Sequence, residues 1–175
     1  IATRTQGAAI RPDLNVWVTA SAGSGKTKVL TERVLALLLA ETPPQRILCL
    51  TFTKAAAAEM SNRINETLAA WVTMDDSALH RDLMLLAPDR LERAALDGAQ
   101  RVVERARRLF AEVLDAPGGL QISTIHAFCQ SLLRRFPLEA RVSPHFSLMD
   151  ERDTAEALDN ALEECISCAR RGGDA

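Results

Sequence analysis

The chain has 175 residues, enough for one ordinary domain with a sizeable core, and 47% of them are hydrophobic. Its formal net charge of −2 makes no global electrostatic case for nucleic-acid binding, so any such contact must come from local geometry. No stretch is long and apolar enough to span a membrane, and the polar N-terminus lacks the apolar segment of a secretory leader, so a cytoplasmic protein is expected.

The first residue is Ile1 rather than an initiator Met, which reads as truncation or processing. Asn15 to Thr19 reads as a first strand, built on Val16-Trp17-Val18-Thr19. Ala20-Ser21-Ala22-Gly23-Ser24-Gly25-Lys26-Thr27 follows, and then a helix over Lys26 to Ala40 with apolar Val29, Leu30, Val34, Leu37 and Leu38. Strand, small-residue loop and helix in that order are the setting of a phosphate-binding P-loop. Small residues let backbone N–H groups turn inward around phosphate oxygens, and the helix points its partly positive N-terminus at the same anion. Lys26 is expected to reach the β- and γ-phosphates of ATP, and the Thr27 hydroxyl to hold Mg²⁺. The usual pattern opens with Gly, and here that position is Ala20.

Thr42-Pro43-Pro44 ends the helix. Arg46 to Thr51 is a short apolar run, the pattern of a strand buried on both faces of a parallel sheet. Lys54 to Trp71 is strongly helical. Strand, helix, strand, helix implies an α/β fold with a parallel sheet and crossover helices.

Composition then shifts. Asp75 to Asp115 is helix-like, with breaks expected at Ala87-Pro88 and around Asp97-Gly98. Val102, Ala106, Leu109, Phe110 and Val113 form an apolar stripe, and Arg101, Arg105 and Arg108 a basic one beside Glu104 and Glu112, read as a solvated face. Pro117-Gly118-Gly119 is a sharp turn. Leu120 to Ile125 reads as a strand, His126 to Arg135 as a helix closed by Pro137, and Phe146 to Met149 as another short strand. A final helix over Thr154 to Arg171 ends in Gly172-Gly173.

Of the four cysteines, Cys49 reads as a small buried hydrophobe. Cys165 and Cys168 form a lone C-x-x-C that could join His126 and Cys129 as zinc ligands, but two cysteines one helical turn apart are the simpler reading. A reducing compartment is the default.

Two further segments lie at strand–helix junctions. Thr51-Phe52-Thr53-Lys54 follows the second strand, and Thr124-Ile125-His126-Ala127-Phe128-Cys129 ends the third. A parallel sheet presents its carboxyl edge as the usual ligand side. Threonine hydroxyls there can donate to phosphates, and Phe52 offers a ring for base stacking.

Taken with Gln6, the loop at Ala20 to Thr27, Thr-Phe-Thr-Lys-Ala-Ala-Ala-Ala-Glu-Met from Thr51 and Thr-Ile-His-Ala-Phe-Cys from Thr124 resemble, in order, the Q-motif and motifs I, Ia and Ib of superfamily 1 helicases of the UvrD/RecB type. Gln130 to Ala140, Trp17 to Thr19 and Phe146 to Arg152 bring the resemblance closer to the AddA subunits of the AddAB double-strand-break repair helicase–nucleases, in their alphaproteobacterial form. It runs from Gln6 to about Leu162, with Asp75 to Asp115 matching loosely as a helical insertion.

The resemblance implies a RecA-like first motor domain, incomplete here, in a 3′–5′ ATP-dependent DNA helicase of recombinational repair, whose parent is also an exonuclease. It implies that Gln6 reads adenine and that Ala20, Ser21, Ala22, Gly23, Ser24, Gly25, Lys26 and Thr27 hold Mg-ATP. Phe52, Thr53, Thr124 and His126 would line a single-stranded DNA path. The implied partners are DNA ends and an AddB-type protein. Lys54 stands where many relatives carry Asn and takes no shared role. Leu148-Met149-Asp150-Glu151 imitates a Walker B strand, but in the family this stretch resembles the lead into the next helical subdomain. The Walker B carboxylates, arginine fingers and nuclease are expected outside the chain, so that this chain alone lacks ATPase activity.

The organisation expected is a RecA-like part over 1–71, the insertion over 72–117, a RecA-like continuation over 118–149 and the start of a helical subdomain over 150–175. A UvrD/PcrA-like repair helicase, a small P-loop nucleotide kinase and a non-catalytic single-strand-binding module stay open as alternatives. The kinase would need an Arg-rich lid, and Asp75 to Asp115 has no Gly-flanked lid pattern.

Overall fold

The structure, a computed structural model, describes residues 4–19, 21, 23, 25–88, 91 and 96–172. Ala20, Ala22 and Ser24 of the expected phosphate loop, and Gly173 at the expected helix end, lie outside the described residues.

Chain order is α1 (Arg4–Ile10), α2 (Lys26–Leu39), a 3-10 turn (Pro44–Arg46), β1 (Leu48–Thr51), α3 (Lys54–Thr73), α4 (Asp76–Leu86), α5 (Leu96–Asp115), β2 (Gln121–Thr124), α6 (Ile125–Arg135) and α7 (Glu151–Gly172). The result is a mostly helical α/β protein. β1 and β2 pair in parallel, with Leu48 opposite Gln121 and Thr51 opposite Thr124. Parallel neighbours need a long crossover, and α3, α4 and α5 supply it.

The core is carried by helix faces of 3.6-residue period. α3 buries Met60, Ile64, Leu68 and Trp71, and α4 buries Leu79, Leu83 and Leu86. α5 buries Val103, Ala106, Leu109 and Val113, so the expected stripe is its inward face, with Val102 and Phe110 half-buried at its edge. α2 adds Val34, Leu35, Leu38 and Leu39. Fully burying one such aliphatic side chain contributes roughly 1.5–3 kcal/mol.

Four expectations are corrected. Asn15 to Thr19 is extended, but no described strand pairs with it, and Val16, Trp17 and Val18 are exposed. Phe146 to Met149 is likewise unpaired, with Leu148 and Met149 exposed. β-propensity alone does not make a strand; a ladder partner does. α5 runs through Asp97-Gly98 without a break. Glycine costs a helix interior about 1 kcal/mol, less than the burial of the α5 stripe returns. α1, which carries Gln6, has no counterpart in the sequence reading. Its seven residues are too few to be helical alone, and burial of Ala9 and Ile10 anchors them.

Helix ends are defined by hydrogen bonds. α2 closes with Glu41 N donating to Leu38 O (3.0 Å) and Thr42 N to Leu37 O (3.0 Å), with Glu41 left-handed at φ 64° and Pro43 next. Asp75 caps α4 by accepting from Ser77 N and Ala78 N, both at 3.0 Å. The Ser77 hydroxyl and these bonds hold the Asp75 carboxyl below its usual range. Arg105 leaves the solvated stripe to donate to Leu38 O (3.1 Å) and to Glu112 (3.3 Å), while Arg101 and Arg108 remain exposed. Arg107 caps the end of α3 through Trp71 O, Val72 O and Met74 O.

The chain divides into two units, residues 1–129 and 130–175. The core lies in the first. In the second, α7 exposes Leu158, Leu162 and Ile166, and none of the described residues is buried. No described helix is long and apolar enough to cross a membrane.

Candidate nucleotide site and sheet-edge interface

The described part of the small-residue loop has the backbone its glycines permit. Gly23 has φ 78° and Gly25 φ 82°, left-handed values that a side chain disfavours. Gly25 opens α2 without a side-chain cap, and Val29 N donates to Gly25 O (3.1 Å). First-turn N–H groups of an uncapped helix face outward with the positive end of the helix dipole. Lys26 Nζ donates to Ser21 O (2.6 Å), so the ammonium folds back over the loop. Thr27 is exposed, and its carbonyl accepts from Thr31 Oγ1 (2.9 Å).

Gln6 approaches the same loop. Its Nε2 lies 3.9 Å from the position a Cβ on Gly25 would take. A cavity of about 620 Å³ is lined by Gln6, Asn15, Trp17, Lys26 and Val29, among others. The structure thus brings together Gln6, Gly25 and Lys26. It also brings Asn15 and Trp17 to the cavity wall, a role the sequence reading missed by treating them only as strand residues. Arg33 was missed as well. It lies seven residues beyond Lys26, two turns along the same helix face, and that spacing was the available signal.

The second group sits at the carboxyl edge of the sheet. Thr51 and Thr124 are register partners, so the residues that follow them emerge side by side. Phe52 is 83% exposed, which leaves its ring available for stacking. Thr53 Oγ1 accepts from Ala56 N (3.1 Å) and Thr124 Oγ1 from Ala127 N (3.2 Å). Both hydroxyls are therefore helix N-caps, a use that takes a lone pair and leaves the O–H proton to donate. His126 and Lys54 are exposed in the first turns of α6 and α3.

Asp150, in the sequence that imitates a Walker B strand, accepts from Asp153 N (2.8 Å) and starts α7; Leu148 and Met149 before it form no strand. Cys49 is half-buried in β1, and burial pushes its thiol pKa up, while Cys129, Cys165 and Cys168 are exposed.

Residues 2–171 match the family model of the UvrD/REP helicase N-terminal domain. The curated relatives include the AddA subunit of the ATP-dependent helicase/nuclease of Lactobacillus gasseri, 36% identical over 151 residues, which are 86% of this chain and 10% of that protein. The protein of the same name from Moorella thermoacetica is 35% identical over 181 residues, 98% of this chain and 11% of its own length. That from Bacillus pumilus is 30% identical over 162 residues, 91% and 11% respectively. The chain thus spans about a tenth of the length of these relatives.

Proposed function

The chain belongs to the UvrD/REP helicase family, and on that premise we propose that it is the Mg-ATP-binding and part of the DNA-contacting portion of an AddA-type DNA helicase motor. One observation carries the reading: Gln6 stands over the left-handed Gly25 at the start of an uncapped helix whose first residue is Lys26. An amide for a base edge, an open helix terminus for phosphates and an ammonium for negative charge fit a nucleoside triphosphate in one cavity.

The residues present suit Mg-ATP chemically. Gln6 would pair with the adenine edge, Lys26 would move from Ser21 O onto the β- and γ-phosphates, and the Thr27 hydroxyl would ligate Mg²⁺. Ser21 and Gly23, with Ala20, Ala22 and Ser24, would complete the loop. ATP supplies the phosphoanhydride whose hydrolysis drives the parent motor. Phe52, Thr53, Thr124 and His126 would receive single-stranded DNA at the sheet edge, the ring stacking on a base and the hydroxyls donating to phosphates.

The domain reading follows: a RecA-like part over 1–71 and 118–149, the helices of 72–117 as an insertion, and 150–175 as the start of a helical subdomain. The parent protein would act on DNA ends in the cytoplasm, with 3′–5′ polarity, together with a nuclease and an AddB-type partner.

The experiment is a titration of the chain with a fluorescent ATP analogue and Mg²⁺. Binding that is competed by ATP and weakened about tenfold or more by Lys26→Ala is expected, since hydrogen bonds to charged groups contribute about 1.5–3 kcal/mol. Equal affinity in the folded variant would remove Lys26 from the site, and no binding to the wild-type chain would remove the site.

A further inference from the structure

Resting on that reading of the site, we infer that Arg33 is a positioning residue that sets nucleobase selectivity by holding the helix that carries Gln6. The guanidinium of Arg33 donates to three main-chain carbonyls of one short segment. Nη1 reaches Ala9 O (2.9 Å) and Arg11 O (2.7 Å), and Nη2 reaches Leu14 O (2.6 Å). Ala9 lies in the last turn of α1, where carbonyls have no helical partner and the dipole favours a cation. Arg11 and Leu14 belong to the turn that leads into Asn15 and Trp17 on the cavity wall.

The geometry links this clamp to the nucleotide site without putting Arg33 in it. Gln6 and Ala9 are one helical turn apart on α1, and both line the cavity with Lys26. Arg33 is two turns beyond Lys26 on α2, about 10 Å along the axis, too far to touch phosphates held at the first turn. One helix therefore carries both the phosphate-binding Lys26 and the clamp, and the clamp fixes α1. At seven residues, with Gly7 at its centre, α1 has little stability of its own to hold Gln6 in place.

Placement matters because a glutamine amide has a donor end and an acceptor end. Held in one position it pairs with the donor–acceptor edge of adenine; free to shift and turn it can offer its NH₂ group to the O6 and N7 acceptors of guanine. A rigid fork on three carbonyls supplies that restraint, and the flexible point charge of lysine does not.

The test compares the wild-type chain, Arg33→Ala, Arg33→Lys and Gln6→Ala by competing a fluorescent ATP analogue with ATP, GTP and tripolyphosphate. Circular dichroism melts report folding. Arg33→Ala is expected to reduce the ATP-over-GTP preference by about fivefold or more, toward that of Gln6→Ala, as loss of one bidentate base contact would. Tripolyphosphate affinity stays within about twofold, since Lys26 and the α2 terminus are untouched, and Arg33→Lys restores only part of the preference. A folded Arg33→Ala chain that keeps the wild-type preference, or that loses tripolyphosphate and ATP affinity in parallel, overturns the inference. Should Arg33→Ala not fold, Arg33→Lys decides by the same criteria. No change in Gln6→Ala overturns the adenine reading beneath it, and no triphosphate binding at all overturns the proposed site. The two failures are thereby distinguishable.

Discussion

At the scale of the residue, exposure separates the side chains available to a partner from those already engaged. Phe52 is 83% exposed immediately after β1, where a large apolar ring gains nothing from the core. Thr53 beside it is engaged as the N-cap of α3. The two neighbours should therefore respond differently to replacement. Phe52→Ala is expected to leave the melting temperature and Mg-ATP affinity unchanged and to weaken single-stranded DNA binding by about 1–3 kcal/mol, measured by fluorescence anisotropy with a labelled oligonucleotide. Thr53→Ala should lower stability by about 1 kcal/mol through the lost cap, whatever it does to DNA. Equal losses of ATP and DNA affinity in Phe52→Ala would count against a stacking role.

At the scale of the element, the sequence was legible wherever a pattern is local. The α3, α4 and α5 stripes, the Pro117-Gly118-Gly119 turn and the helix after the phosphate loop follow from periodicity and turn chemistry, and the structure has them. Asn15 to Thr19 failed because a strand is a property of two segments, and its β-branched run cannot report that no described partner lies alongside. α1 failed for the converse reason: it is made by burial of Ala9 and Ile10 and by Arg33, none of which its own composition reveals. Half of the candidate site suffered with it. Lys26 and Thr27 were readable from the loop, whereas Gln6 came only through resemblance and Arg33 not at all. The end of α2 shows what pattern reading also overlooks. Glu41 takes φ 64° where glycine is the usual choice, held by two capping bonds to Leu37 O and Leu38 O. Left-handed backbone costs a non-glycine residue roughly 1–2 kcal/mol, and glycine returns part of that to unfolded-state entropy. Glu41→Gly is therefore expected to stabilise the chain by about 0.5–1 kcal/mol in urea denaturation; a destabilised variant would show that the Glu41 side chain contributes more than its backbone strain costs.

At the scale of the whole molecule, stability is concentrated in the first unit, because every buried side chain among the described residues lies between Ala9 and Val113. Trp71 is the largest of those that are fully buried. Its carbonyl accepts from Arg107 Nη1 (3.2 Å), which ties the end of α3 to α5. Its indole N–H, buried, has no hydrogen-bond partner, although the residue lines a cavity of about 430 Å³ with Glu32, Glu66 and Asp82 among its walls. Two opposing terms follow. Removing the ring leaves a void, and Trp→Ala in a packed core costs about 3–5 kcal/mol. Removing only the N–H relieves a donor whose desolvation without a partner costs about 1–3 kcal/mol. Trp71→Ala should accordingly abolish most of the cooperative urea transition followed by circular dichroism. Trp71→Phe keeps most of the apolar volume and discards the donor, so its loss should be at most about 1–2 kcal/mol, well short of the alanine variant. A Trp71→Phe loss as large as that of Trp71→Ala would mean that in solution the indole N–H is bonded through water to the carboxylates around the cavity. In that case a polar anchor, and not apolar volume alone, fixes α3 against its neighbours, with β1 held at its N-terminal end.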